Sequence, residues 1–209
     1  MRPIIRIIRR FPLVGCTLLI AGLFALPFAL NSAAAILTPA RNDNGIAPLF
    51  TPQVQHWGRD IVRWSAVHDI DPNLMATIMQ IESCGHPTVT SWAGAQGLFQ
   101  VMPFHFDAGE EMLDPDTNAI RSANFIHECS TYANGDPGLV MACYNGGPSV
   151  IRRSFETWAS ETQRYFIWGL GIYADARLNA SSSQTLSQWL NAGGANLCDR
   201  ASAVLGIRG

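Results

Sequence analysis

Apolar residues in this chain recur at three- and four-residue spacing, and no stretch sustains the alternation that a half-buried strand needs. That pattern restricts the chain to a fold built mainly of α-helices. Val54, Trp57, Ile61, Trp64 and His68 predict one amphipathic helix over residues 54–68. Asp71-Pro72 predicts the start of a second helix, with Asp71 as cap and Pro72 in the first turn. Leu74, Ile78 and Ile81 form its apolar face, and Gly85 and Pro87 stop it. Asp114-Pro115 opens a third helix that runs to about Tyr132. Its Asp-x-Asp-x-Asn spacing also opens calcium loops, but Ala119 stands where such a loop needs Gly and Phe125 where it needs Glu, so the cap reading wins. Asn134–Pro137 reads as a turn, and Leu139–Tyr144 as a short buried helix ended by Gly146-Gly147. Pro148 starts the next element, and a long helix follows over Glu161–Leu178, with Tyr165, Trp168 and Ile172 on one side. Ser181–Ser183 marks a joint before a last helix or turn at Leu186, Trp189 and Leu190, with a Gly193-Gly194 break beyond it. No internal repeat is present.

Glu82 is the residue with the most chemical promise. It lies in the last turn of the second helix, beside that helix's apolar face, and a Gly-rich run from Ser91 to Pro103 follows it. Glycines let backbone approach closely. A carboxyl enclosed in that way has its charged form destabilised, so it keeps a proton near neutral pH, as a general acid must. A helix-terminal Glu pointing into water is the plain alternative.

Charge separates the N-terminus from the rest. The chain has no Lys, and four of its 14 basic residues (Arg2, Arg6, Arg9, Arg10) precede the first apolar run. Phe11–Leu30 carries no charge, and Ala33–Ala35 supplies the small residues that a signal peptidase accepts. Residues 1–35 are therefore expected to be a signal peptide or an N-terminal membrane anchor; Pro12 and Pro27 shorten the apolar core and favour cleavage. Both alternatives put the domain outside the cytoplasm, in the cell envelope, with a membrane contact only through residues 11–30 if they are retained. Beyond residue 35, 10 Arg face 16 acids, which argues against nucleic acid as a partner. Arg121, Arg152 and Arg153 remain available for local contacts to substrate. The Pro- and Gly-bearing residues 36–52 read as a linker, residues 53–180 as the main domain, and residues 181–209 as a C-terminal extension packed on it or tethered to it.

Outside Cys16, four cysteines remain: Cys84, Cys129, Cys143 and Cys198. In an exported chain an even number predicts two disulfides, for which three pairings exist. If the helices around Cys129 and Cys143 form a hairpin about Asn134–Pro137, those two are nearly equidistant from the turn. That favours Cys129–Cys143 and leaves Cys84–Cys198, a link that would pin the tail near the site. The five His are scattered and show no metal spacing, so neither a metal nor a cofactor is expected.

Four ordered blocks also carry a family resemblance. Glu82-Ser83 is followed by Ser91 and by Gly94-Ala95-Gln96-Gly97-Leu98-Phe99-Gln100-Val101-Met102-Pro103; Asp114-Pro115 and Asn118 come next, then Tyr144-Asn145 with Gly147, then Glu161-Thr162 with Tyr165. This is similar to the catalytic domain of soluble lytic transglycosylases, relatives of goose-type lysozyme, over roughly residues 55–175. The sequence departs from the family pattern at Phe99 (usually Met), Cys143 (usually Ala), and Ser122, Phe125 and Ile126 (usually Gly and Tyr-Leu). The resemblance implies a lysozyme-like single domain with helices around a glycan-binding groove. It implies an exported enzyme that cuts the β-1,4 bond between N-acetylmuramic acid and N-acetylglucosamine in peptidoglycan strands. Glu82 would act as acid and then as base, giving 1,6-anhydro ends. Ser83, Ser91, Gln100, Tyr144, Asn145 and Tyr165 would bind substrate, and Phe99 would pack or floor a sugar subsite. Two alternatives stand beside this: a lysozyme-type hydrolase in which Glu110 or Glu111 helps water to attack, and a glycan-binding protein without turnover.

Overall fold

The computed structural model describes residues 45–207, which belong to one compact unit. The expected signal peptide or anchor and residues 36–44 of the expected linker lie outside the described residues. Among the described residues eight α-helices form, with no strand and only isolated bridges, Thr90 to Gln96 and Gln96 to Val101. No helix among them is long and apolar enough to cross a membrane.

Helices α1 (Pro52–His56) and α2 (Gly58–His68) stand where the periodicity predicts one helix. Trp57 takes φ −89° and ψ 2° between them. The break aims the indole N–H at the Gly85 carbonyl, 2.9 Å away, and stacks the ring on Trp64. Helix α3 (Pro72–Glu82) starts as its sequence predicts, with the Asp71 carboxylate accepting from the Asn73 N–H. The other Asp71 oxygen accepts from the Tyr173 hydroxyl at 2.9 Å, which ties α3 to α6 (Ser160–Arg177).

Helix α4 (Pro115–Ala133) is capped by Asp114 and α5 (Pro137–Gly146) by Asp136. Left-handed Asn134 turns the chain between them, and the resulting hairpin is bridged by Cys129–Cys143. Helix α5 packs between α4 and α6, and α3 packs on α2 and α6. The core lies among these helices, with Ile61, Met75, Ile78, Phe99, Met141 and Ile172 fully buried.

One segment departs from the expected organisation. Residues 46–50 were expected within a linker, yet Ile46, Ala47, Leu49 and Phe50 are buried. Apolar residues between the Pro and Gly positions draw the segment onto the helices, where the Ala47 N–H donates to Asn73 Oδ1 at 2.8 Å. Past the serine joint, α7 (Gln184–Trp189), a wide turn (Leu190–Gly194) and α8 (Ala195–Leu205) bury Leu186, Trp189, Cys198 and Ala201. Cys198 is joined to Cys84 across 114 residues of sequence, and Gln53 Nε2 donates to Ser202 Oγ at 2.6 Å.

Candidate active site

Glu82 ends α3 at the waist of a two-chambered cleft. One chamber, of about 250 Å³, lies towards the Gly-rich loop and includes Ser91, Trp92, Gln100, Met102 and Tyr144. The other, of about 400 Å³, is walled by Ile81, Arg164, Tyr165, Trp168, Trp189 and Ala192. Glu82, Asn145 and Glu161 line both. They are called below the Trp92 chamber and the Trp189 chamber.

The Glu82 side chain keeps partial exposure at this waist, while dense protein surrounds its carboxyl. Loss of solvation pushes its pKa up to about 8. The Tyr165 hydroxyl opposes the rise and the Glu161 carboxylate adds to it. Tyr165 Oη is buried and, among the described residues, is the one buried side-chain polar atom with no hydrogen bond of ordinary geometry. Its neighbour is the Glu82 carboxyl, close enough for a hydrogen-bonding interaction that falls outside ordinary bond geometry. The Tyr165 hydroxyl itself is held well above its ordinary pKa by burial and by the neighbouring Glu82.

The Gly-rich loop is pinned from beneath at four points. Ser83 Oγ donates to the Leu98 carbonyl at 2.6 Å. Asn118 accepts from the Phe99 N–H at 2.9 Å and donates to the carbonyls of Gln96 and Met112. Gly97 must lack a side chain here, because it has φ +70° and a Cβ would lie 2.8 Å from Asn118 Nδ2. The Tyr144 hydroxyl donates to the Phe99 carbonyl at 2.9 Å, which leaves Ser122 Oγ, also at 2.9 Å, to donate to Tyr144.

The six residues expected at the substrate divide accordingly. Ser91, Gln100, Tyr144, Asn145 and Tyr165 line the cleft with Glu82. Ser83 does not: it is fully buried, lines neither chamber, and its hydroxyl is engaged by Leu98 and by the Gly85 N–H. Its position at the end of α3 turns it towards the loop underside and away from the cleft. Ser91 Oγ accepts from the Ala95 N–H, and Gln100 Nε2 donates to the carbonyls of Val89 and Gly97, leaving its amide oxygen without a partner among the described residues. Asn145 Oδ1 accepts from Thr162 Oγ1 at 2.8 Å. Phe99 is fully buried and packs edge-on against Trp64, so it floors no subsite.

Neither Glu110 nor Glu111 lines the cleft. Glu110 grips Arg121 at 2.5 and 2.7 Å, and Arg121 also pairs with Asp107. The Arg121 guanidinium holds the Glu110 carboxyl below its usual range. Arg121, Arg152 and Arg153 all lie outside both chambers. The sequence shows Glu161 only as part of a matching block, yet it is the second carboxylate of the cleft. Its signal was the four-residue spacing to Tyr165, which sets both on one face of α6. Among the described residues no group of three His, Cys, Asp or Glu side chains is arranged to hold a metal ion.

Known proteins resemble this chain in family and in fold. The family model described as the transglycosylase SLT domain matches residues 61–167. A protein called transglycosylase from Enterobacteria phage PRD1 is 32% identical over 111 residues, covering 52% of this chain and 40% of that relative. The chain thus spans less than half the length of the curated relative it matches. A complex of the 70 kDa soluble lytic transglycosylase with bulgecin A has a similar fold, with a TM-score of 0.52 at 22% identity over 61% of this chain and 25% of that one. The 70 kDa soluble lytic transglycosylase from Escherichia coli gives a TM-score of 0.51 at 23% identity, over 61% and 25% of the two chains.

Proposed function

The chain belongs to the transglycosylase SLT domain family, and on that premise we propose that it is an exported lytic transglycosylase of peptidoglycan. The observation that carries this reading is Glu82, a carboxyl with its pKa pushed up to about 8 at the waist of an open cleft. It is protonated near neutral pH and can give that proton to the bridging oxygen of a glycosidic bond. The bond from that oxygen to C1 breaks, and the 6-hydroxyl of the same muramoyl residue attacks C1. Glu82, now a carboxylate, takes the proton of that hydroxyl. A 1,6-anhydro ring closes, no water is consumed, and Glu82 returns to its starting state. The attacking hydroxyl is tethered to the reacting sugar and has a high effective concentration.

Asn145 and Gln100 offer amide groups to sugar hydroxyls and acetamido groups on the Trp92 side. The two disulfides support placement outside the cytoplasm. Glu161 favours one rival, because a hydrolase that activates water needs a second carboxylate.

Mass spectrometry of digested sacculi separates the two. Anhydro ends, one water lighter than reducing ends, are expected; reducing ends alone would move the reading to a hydrolase. Glu82→Gln should lower turnover by about 10²–10⁴-fold while the protein still folds. Near-normal turnover in that variant would refute the assignment. Activity should fall as pH rises through about 8, where Glu82 loses its proton. The folded chain also holds that proton to higher pH than the unfolded chain. Stability from this group is therefore full below the ordinary carboxylate range and declines as pH rises from there through about 8. Denaturation midpoints measured across that window should slope downwards, and Glu82→Gln should flatten the slope.

A further inference from the structure

The Trp189 chamber is built for more than a neutral sugar. Its far wall comes from Trp189 and Ala192, which lie beyond the family-matched residues 61–167. That wall is held firmly. Gly194 packs so closely on Trp189 that a Cβ would fall 2.4 Å from the indole. Gly171 of α6 meets Thr185 of α7 just as closely, with 2.6 Å from a would-be Cβ to Thr185 Oγ1. The Cys84–Cys198 link then anchors the following helix to the end of α3, two residues beyond Glu82.

Two hydrogen-bond donors on this chamber make no well-formed bond among the described residues. The Arg164 guanidinium makes no ion pair or hydrogen bond with any described residue, although Glu161 lies one turn before it on α6. Tyr165 Oη is buried, belongs to a residue of the same chamber and has only the off-geometry interaction with Glu82, so it makes no well-formed hydrogen bond. A buried hydroxyl without a well-formed bond is costly, and a ligand acceptor would relieve it. A guanidinium beside aromatic walls is suited to a carboxylate carried on a partly apolar group.

We propose that the Trp189 chamber is a subsite for the carboxylate-bearing peptide attached to the muramoyl residue, with Arg164 as its charge partner. This rests on the peptidoglycan reading above. The alternating sugars of such a strand are neutral rings, so an arginine gains nothing from them that a neutral donor would not supply. The charge lies on the lactyl-linked peptide. Glu161 repels a carboxylate at the waist and so directs it to the Arg164 end. The Trp168 and Trp189 faces cover the apolar part of the peptide.

The test uses the full chain carrying Glu82→Gln, which binds without cleaving. Calorimetry compares a GlcNAc–MurNAc oligosaccharide that bears its stem peptide with the same oligosaccharide whose lactyl carboxyl is capped as a neutral methylamide in place of the peptide. The peptide-bearing form should bind about tenfold tighter or more, as a charge-assisted contact allows. Adding Arg164→Gln should abolish that preference, and Arg164→Lys should restore part of it. Arg164 is exposed and holds no other residue, so these variants keep the fold, as a thermal melt verifies. Equal binding of the two oligosaccharides, or a preference that survives Arg164→Gln, would overturn the subsite and leave the transglycosylase reading standing. Failure to bind either oligosaccharide would remove both.

Discussion

The two chambers on either side of Glu82 are held open by different means. The Trp92 chamber rests on a glycine-rich loop fixed by side chains that reach backbone groups: Ser83 to Leu98, Asn118 to residues 96, 99 and 112, and Tyr144 to Phe99. The Trp189 chamber rests on helix packing, a glycine pressed against an indole, and a covalent link. All the pins of the first lie inside the family-matched residues, whereas part of the second lies outside them. The contrast teaches that the two sides of one cleft can be built by separable means. A hydrogen-bonded loop holds one side, and a cross-linked extension walls the other.

Removing the covalent link strikes this contrast hardest. Cys84→Ala together with Cys198→Ala should cost about 5 kcal/mol, because the link closes a long loop in the unfolded chain, whereas Cys129→Ala with Cys143→Ala should cost about 3 kcal/mol. Chemical denaturation of the two double variants gives the ranking; equal losses would show that the extension holds itself in place by packing.

Asn118→Ala comes next. It leaves the Phe99 N–H and the carbonyls of Gln96 and Met112 unpaired beneath the loop. A loss of about 3 kcal/mol is expected, accompanied by a collapse of turnover. An unchanged melting temperature would mean that the loop does not depend on this hub.

Tyr144→Phe is the mildest of the three. The Tyr144 hydroxyl serves the Phe99 carbonyl and Ser122 and does not project freely into the cleft. The variant should lose about 1–2 kcal/mol of stability, and turnover should fall with the loop's order. A large fall in turnover at unchanged stability would instead make the hydroxyl a substrate contact.

Much of the Trp92 chamber was legible because its signals are local. Asp71-Pro72 and Asp114-Pro115 begin helices by their own backbone chemistry. Glu82 and the run from Ser91 to Pro103 sit a short loop apart, so sequence order already implies nearness. The destination of a hydroxyl is not local. Ser83 and Tyr144 were expected to face substrate, yet Ser83 is spent on the loop and the Tyr144 hydroxyl is too, because carbonyls distant in sequence arrive beneath that loop. Residues 46–50 misled for a related reason. Prolines and a glycine mark irregular backbone, but Ile46, Leu49 and Phe50 decide whether that backbone is buried. The disulfide pairing was legible where one tight turn sets two cysteines face to face, as in Cys129–Cys143. Cys84–Cys198 followed only by subtraction. The Trp189 chamber stayed hidden, since Arg164, Trp168 and Trp189 converge through the packing of α7 on α6 and match no short pattern.

Cys84 and Cys198 stand 114 residues apart, and the other bonded pair lies between them. During synthesis, Cys84, Cys129 and Cys143 emerge in that order, well ahead of Cys198. For that interval Cys84 has no correct mate, and either of the two following thiols is a wrong one. Quick closure of the α4–α5 hairpin withdraws both competitors, since its two cysteines are only 14 residues apart. A short local loop closes faster than a long one. The nested order of the bonds thus acts as a proofreading sequence: the inner bond must close first for the outer one to find its partner, and a chain that misses that order depends on thiol exchange to recover.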